Sequence, residues 1–326
     1  MKTKPLTDHI VITPSPGELV ARKVVAARPG RVPDEGKKIP LDLEVEDTAL
    51  YDENFGTEVS VVRQKAFVKD VGMSGLPFPM RVASKLDARG QPTVGTISVT
   101  ARIMRDFEAS WIDTFIQLLH QHREEIGTAT LRVHMPEYLK ELRASTVRVN
   151  FDYPFFVEKA TPVTGEKSLV RYLCTYSAKI SAASKPKVHF RIAVPAITTY
   201  PQSSLIVGSR PFGQLSTVTI ETDSENEIYP EDLVELVDRH ALAPVYSFLA
   251  PEDQDFLIQR INHDVQSSVM LVDAVKGDLS RNESVSWFSV RCDNAGMLHE
   301  YSTFIGTEKS MWIPDTEAEV SVSESV

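Results

Sequence analysis

Eight histidines and two cysteines are the side chains of this 326-residue protein best suited to metal binding or nucleophilic attack, and their spacing excludes the common arrangements. Cys174 and Cys292 lie far apart, each in an apolar-rich stretch, so they make no C-x-x-C knuckle and read as buried core thiols rather than a disulfide. His120 and His122 come nearest to a metal pair. Residues two apart do not share a helical face, however, and imidazoles near a helix C-terminus are favoured by the dipole alone, so no metal is expected there. His134, His189 and His263 are single residues in ordinarily patterned segments. GxGxxG, the Walker loop, HExxH and GxSxG are missing from the sequence, which removes the usual dinucleotide, nucleoside triphosphatase, zincin and serine-hydrolase readings.

The elements that would position a site are legible from patterning. Hydrophobic residues make up 42% and charged residues 25%, the balance of a globular α+β protein. A net charge of -10 disfavours nucleic acid, whose phosphates are bound largely by Lys and Arg, while leaving room for a local basic pocket. No stretch reaches the roughly 20 apolar residues that cross a bilayer, and no signal peptide opens the chain, so a cytoplasmic protein with no membrane contact is expected. Residues 1 to 56 read as an extended arm rich in Pro, Gly and basic residues, and 314 to 326 as an acidic, frayed tail. Strands are expected over 57 to 70, 93 to 103, 129 to 135, 145 to 153, 169 to 180, 187 to 194, 216 to 222 and 284 to 293, with a last strand-like piece at YSTFIG. Helices are expected over 110 to 126, over the short PEYLKEL, behind Pro230, and as one stretch over roughly 253 to 277. Strands grouped in pairs with helices between them predict antiparallel sheets with helices packed on one side.

Several segments in register resemble the GTP cyclohydrolase IB family of tunnelling-fold enzymes: VGMSGLPFPM (71 to 80), DTFIQLLHQHREEI (113 to 126), PFFVEKATPVTGEKSLVRY (154 to 172), VPAITTYPQSS (194 to 204), EDLVELVDRHALAPVYSFLAPED (231 to 253) and CDNAGMLHEYSTF (292 to 304). The most specific is PFFVEKATPVTG, which follows the family's Pro-aromatic-Phe-Ile-Glu-Lys-x-x-Pro-Val-Ser-Gly. The resemblance implies tandem tunnelling-fold modules, here 57 to 165 and 166 to 313, in a homo-oligomer (dimer or tetramer) with sites at subunit interfaces. It also implies a carboxylate gripping the edge of a guanine or pterin through charge-assisted hydrogen bonds. The family's acidic pair falls on Glu252 and Asp253, with the basic residues before it reduced to Ala250, so that Glu252 or Glu158 is the candidate anchor.

The departures from the family concern its metal. The metal-binding cysteine falls on Tyr200, a second cysteine on Gln202 and the metal-binding histidine on Phe212, while Gln214 is retained. A family histidine at the start of the first long helix falls on Trp111 and an arginine on Thr114. Near the C-terminus His299 is kept and a second histidine becomes Tyr301. A metal would supply the activated water that opens a guanine ring, and a phenylalanine coordinates nothing. The expectation is therefore a diverged enzyme without that divalent metal or any other cofactor. It would act on a purine, pterin or related planar heterocycle or nucleotide through Glu158, Lys159, Glu252 and His299 as catalytic groups, with Gln214, Tyr200, Phe212 and Trp111 lining the site. Lys159 would offset phosphate or oxyanion charge, His299 would shuttle a proton, and the rings would stack on the heterocycle. Two alternatives stand beside it: a catalytically inactive paralogue that binds a ligand or partner subunit, and a genuine GTP cyclohydrolase with a rearranged metal site.

Overall fold

The computed structural model describes residues 49–52, 57–60, 69–103, 110–201, 211–296 and 300–309. The chain divides into two compact units at Phe67 and Val68. In the first, β1 (Ala49–Asp52) pairs antiparallel with β2 (Thr57–Ser60). The arm expected over 1 to 56 lies outside the described residues except for β1, and the expected tail lies wholly outside them.

The second unit is built on one antiparallel sheet. In chain order its strands are β3 (Lys69–Val82), β4 (Gln91–Ile103), β5 (Thr146–Ala160), β6 (Lys167–Ser181), β7 (Ser184–Thr199), β8 (Gly213–Ser224), the two-residue β9 (Ala243–Pro244), β10 (Val285–Asn294) and β11 (Thr303–Glu308). Their spatial order is β11-β10-β8-β7-β6-β5-β4-β3, with β9 pairing beside β7. The helices are α1 (Ser110–His122), α2 (Thr128–Glu141), α3 (Pro230–His240), α4 (Pro251–His263) and α5 (Ser268–Arg281). A strand's side chains alternate between faces, so one face can be apolar and the other polar. Odd-numbered residues of β5 from Val147 to Phe155 and even-numbered residues of β6 from Val170 to Ile180 are buried, while their neighbours are half-buried or exposed. Against the apolar face lie α2, over β6 and β7, and α3 and α5, over β7 and β10. The α+β class and the antiparallel sheet with helices on one side follow the sequence reading. The expected boundary at 165 and 166 falls in the turn between β5 and β6, which pair along their full length, so both stretches share one sheet.

Three elements differ from expectation. The first long strand of the sheet is Lys69–Val82; of the strand expected over 57 to 70, Thr57–Ser60 is β2, 61 to 68 lie outside the described residues, and 69 and 70 open β3. Its prolines and glycines argue against a strand by composition, but β3 is the sheet's edge, where proline is tolerated, and Gly75 takes φ 74° at a shift in register between Met73 and Leu76. Residues 129 to 135 are helical, continuous through Pro136 with the expected short helix. Leu131, Val133 and Met135 alternate as a strand would, yet Val133 is 73% exposed while Leu131, Met135 and Tyr138 are buried, which is the helical period. Finally, the stretch 253 to 277 is two helices, because Asp264 ends α4 and the Ser267 hydroxyl caps α5 by accepting from the Met270 amide at 3.2 Å. None of the described helices is long and apolar enough to cross a membrane.

Candidate functional site

Residues 158 and 159 adjoin in sequence and therefore point to opposite faces of β5. Lys159 takes the helix-covered face and is 8% exposed. There its ammonium lies 2.5 Å from Oδ2 of Asp238 on α3, with the Tyr172 and Tyr246 rings 5.4 and 5.9 Å from Nζ. Burial pushes the Lys159 pKa down and the Asp238 pKa up, each only partly offset by its partner's charge. Both shifts favour the neutral forms, so a proton passes between these groups at smaller cost than between an exposed lysine and aspartate. The pair borders a concavity of about 530 Å³ whose rim carries Lys85, Glu231, Asp232 and Glu235. Lys85 Nζ reaches Asp232 at 2.5 Å, and Glu231 Oε1 accepts from the Ser84 hydroxyl at 2.5 Å and the Lys85 amide at 3.1 Å. Asp238 Oδ1, Glu231 Oε2 and the Tyr172 hydroxyl are buried without hydrogen-bond partners among the described residues. A buried acceptor left unsatisfied is costly, and because Glu231 and Asp238 stand about two turns, roughly 10 Å, apart on α3, each is a separate acceptor rather than part of one edge.

The other expected carboxylates lie elsewhere. Glu158 borders the same concavity, but its carboxylate is held by Lys167 at 2.8 Å on the opposite face of the sheet, so it and Lys159 are not a catalytic couple. Glu252 is exposed on the first turn of α4 and makes no described hydrogen bond or ion pair that would aim it at a ligand. The buried member of that acidic pair is Asp253, whose Oδ1 accepts from the Val163 and Thr164 amides at 2.8 and 3.0 Å and whose Oδ2 accepts from the Thr164 hydroxyl at 2.7 Å. Asp253 thus clasps the β5–β6 turn. His299 lies outside the described residues.

Of the four expected lining residues, Tyr200, Phe212 and Gln214 gather at the adjoining ends of β7 and β8, whereas Trp111 lies elsewhere. Tyr200 and Phe212 face each other just beyond β7 and β8, rings stacked at 4.7 Å and backbones joined by a 2.9 Å hydrogen bond from the Tyr200 amide to the Phe212 carbonyl. Gln214 is 3% exposed, and its amide nitrogen donates to Thr198 Oγ1 at 3.2 Å. It belongs to a buried chain of hydroxyls and amides in which Thr198 bonds Ser216 and Ser216 bonds Asn294, each at 2.8 Å. Trp111 is instead a core residue of α1, 4% exposed and stacked on Phe115 at 6.1 Å.

Comparison with known proteins places this geometry. The family model described as type I GTP cyclohydrolase FolE2 matches residues 59–304. The chain belongs to the FolE2 family. Among its relatives, the GTP cyclohydrolase FolE2 of Citrifermentans bemidjiense is 29% identical over 240 residues, covering 74% of this chain and 89% of that protein. That of Geobacter sulfurreducens is 26% identical over 246 residues, covering 76% and 94%. Weaker structural likenesses reach the uricase of Arthrobacter globiformis (TM-score 0.42, 10% identity, 79% of this chain and 96% of that one) and the urate oxidase of Bacillus sp. TB-90 (TM-score 0.40, 8% identity, 74% and 99%). At that level of similarity they carry no argument. The resemblance to a GTP cyclohydrolase family seen in the sequence therefore holds.

The metal implied by the FolE2 family does not fit the residues at Tyr200 and Phe212. Their side chains are turned onto each other, a phenyl ring offers no lone pair, and the neighbouring buried groups among the described residues are amides, hydroxyls and the Cys292 thiol, whose pKa burial raises. Asp238 and Glu231 were missed in the sequence reading. Both sit in the segment that carries the resemblance, but the lysine that gives Asp238 its meaning is 79 positions away and only folding brings the two together.

Proposed function

We propose that this FolE2 family member is a diverged enzyme acting on a purine or pterin ring, guanine nucleotides foremost, by proton transfer rather than through the family's metal. The observation that supports this is the Lys159–Asp238 pair: two buried groups of opposite charge, each pushed toward its neutral form, at the wall of a concavity with unsatisfied carboxylate oxygens. Asp238 would accept from a ring N–H group, Glu231, about two turns away on α3, would meet a separate part of the ligand, and Lys159 would hold or move a proton at the ring edge. FolE2 relatives are named for GTP, which makes it the first ligand to try. The order β-β-α-α-β-β occurs twice along the chain, β3 to β6 and then β7 to β11 with α4 and β9 added, and we read this as tandem tunnelling-fold modules. Assembly into a homo-oligomer belongs to the same proposal.

Calorimetric titration of GTP and turnover after chelation test it. Wild type is expected to bind and convert the nucleotide after chelator treatment, and Asp238→Asn to lose at least tenfold in affinity. Lys159→Met is expected to keep binding within a few fold while losing turnover. Activity that chelation abolishes and zinc restores, or an Asp238→Asn variant indistinguishable from wild type, would overturn it. A second reading, a ligand-binding protein without turnover, draws on the Tyr200–Phe212 stack, whose rings fill their position against each other. It predicts nucleotide binding with no conversion under any metal condition.

A further inference from the structure

The two histidines that matter most for metal chemistry are not the sequence neighbours His120 and His122. His120 is exposed and meets Phe78 edge-on at 5.0 Å. His122, the last residue of α1, instead stacks on His134 of α2, with ring centroids 3.8 Å apart and planes within 15°. Glu137 stands one turn after His134 on the same helical face, and its Oε2 lies 3.2 Å from His122 Nε2. One ligand atom from each of the three falls within 4.8 Å of the others.

Two features distinguish this from a chance surface cluster. His122 has a partner on its far nitrogen: Nδ1 lies 3.4 Å from the hydroxyl of Tyr138, a residue 1% exposed whose phenol burial keeps protonated. When Nδ1–H donates to that hydroxyl, the Nε2 lone pair is left for an ion, the usual arrangement behind a metal-bound histidine. Nε2 also lies 3.2 Å from a carboxylate oxygen, so an ion bound there would meet a nitrogen and an oxygen donor together. Donors about 2.0 to 2.2 Å from a tetrahedral zinc sit roughly 3.3 to 3.6 Å from one another, close to the 3.2 Å between His122 and Glu137. His134, within 4.8 Å, completes the set by turning its ring out of the stack so that its in-plane lone pair meets the ion.

We propose that His122, His134 and Glu137 form a divalent transition-metal site of the zinc class that staples the end of α1 to α2, with water completing the shell on the exposed side. Neutral imidazoles and one carboxylate suit zinc over magnesium or calcium, which prefer oxygen-only shells. The site is separate from Tyr200 and Phe212 and from the Lys159 concavity, and its role is structural: a metal bound to the folded chain alone raises stability.

The test uses the full chain, stripped with chelator and titrated with zinc chloride by calorimetry, with cobalt as a spectroscopic substitute. Expected are one equivalent of zinc per chain, a higher melting temperature with zinc, and a visible cobalt band of four-coordinate intensity. His134→Ala and Glu137→Gln, both altered at positions that are not fully buried, should each weaken zinc affinity at least tenfold and abolish the zinc-dependent melting shift. Lys159→Met should keep all three signals, and nucleotide binding should be unchanged in His134→Ala, which separates this site from the proposed function. Absence of zinc binding to the wild type, or full-affinity binding to His134→Ala, would overturn the assignment.

Discussion

At the scale of single residues, parity along a strand decides which groups can work together. Glu158 and Lys159 are adjacent in the segment that most resembles the family, yet one meets Lys167 and the other Asp238 on opposite faces. Asp253 shows the same separation between chemical promise and structural use. Burial alone would raise its pKa, but hydrogen bonds from the Thr164 hydroxyl, the Thr164 amide and the Val163 amide outweigh that and hold it at about 2 against an ordinary 3.8. A carboxyl with a depressed folded-state pKa contributes stability that is fully present above its unfolded value and is lost as pH falls through the folded one. Wild type should therefore lose stability as pH drops from about 4 to about 2, and Asp253→Asn should be less stable near neutrality with a flatter acid limb over that window. Chemical denaturation across pH checks this, and parallel acid limbs in the two proteins would count against the clasp. The two thiols are inert by the same reasoning, since burial raises both, Cys292 to about 11.

At the scale of elements, the start of α2 depends on a side chain from the far half of the chain. Glu227 Oε1 accepts from the Thr128 amide and Oε2 from the Ala129 amide, both at 3.0 Å, and Oε1 also receives the Tyr176 hydroxyl at 3.1 Å. The approach is close enough that a Cβ on Gly127 would sit 2.8 Å from the carboxylate, so a larger residue there would push Glu227 off its cap. Glu227→Ala leaves two helix-end amides and a buried hydroxyl without their acceptor and should cost about 1 to 2 kcal/mol, read from the urea midpoint. An unchanged midpoint would mean that water replaces the cap fully. This contact marks the limit of what the sequence discloses. Alternation made β5, β6, β7 and β10 legible, because a half-buried strand writes its two faces into neighbouring residues. Residues 129 to 135 were ambiguous because apolar side chains two apart satisfy the strand period before the helical one, and only the exposure of Val133 separates the two. The edge strand β3 was illegible for the opposite reason, its prolines and glycines being permitted by position in the sheet rather than by propensity. The site divides in the same way: Lys159 stood in a recognisable motif, whereas Asp238, and the meeting of His122 with His134, exist only once distant segments pack.

At the scale of the second unit, the sheet has one covered face and one open one, and the open face is not uniformly polar. Where β5 and β6 meet, Phe156, Leu169 and Leu173 are 40%, 61% and 59% exposed, an apolar group on a face whose far end carries the cross-strand cations Arg148, Lys179 and Lys187. Like charges directly opposite across strands repel, and exposed leucines on a sheet face lose the burial that a partner would provide. A second copy of the chain covering the apolar end would place β5 and β6, and with them the strand that carries Lys159, beside the interface. If the proposed homo-oligomer uses this face, Leu169→Glu combined with Leu173→Glu should convert it to monomer by light scattering while leaving the circular dichroism spectrum and the urea slope intact, since neither side chain belongs to the core. Nucleotide affinity of the same variant then reads whether a neighbour reaches the concavity through Glu158, which borders it and projects on the open face, since Lys159 projects on the covered one. A double variant that keeps the wild-type mass would place the interface elsewhere, and one that becomes monomeric with unchanged affinity would show that Lys159, Asp238 and Glu231 bind without help from a neighbour.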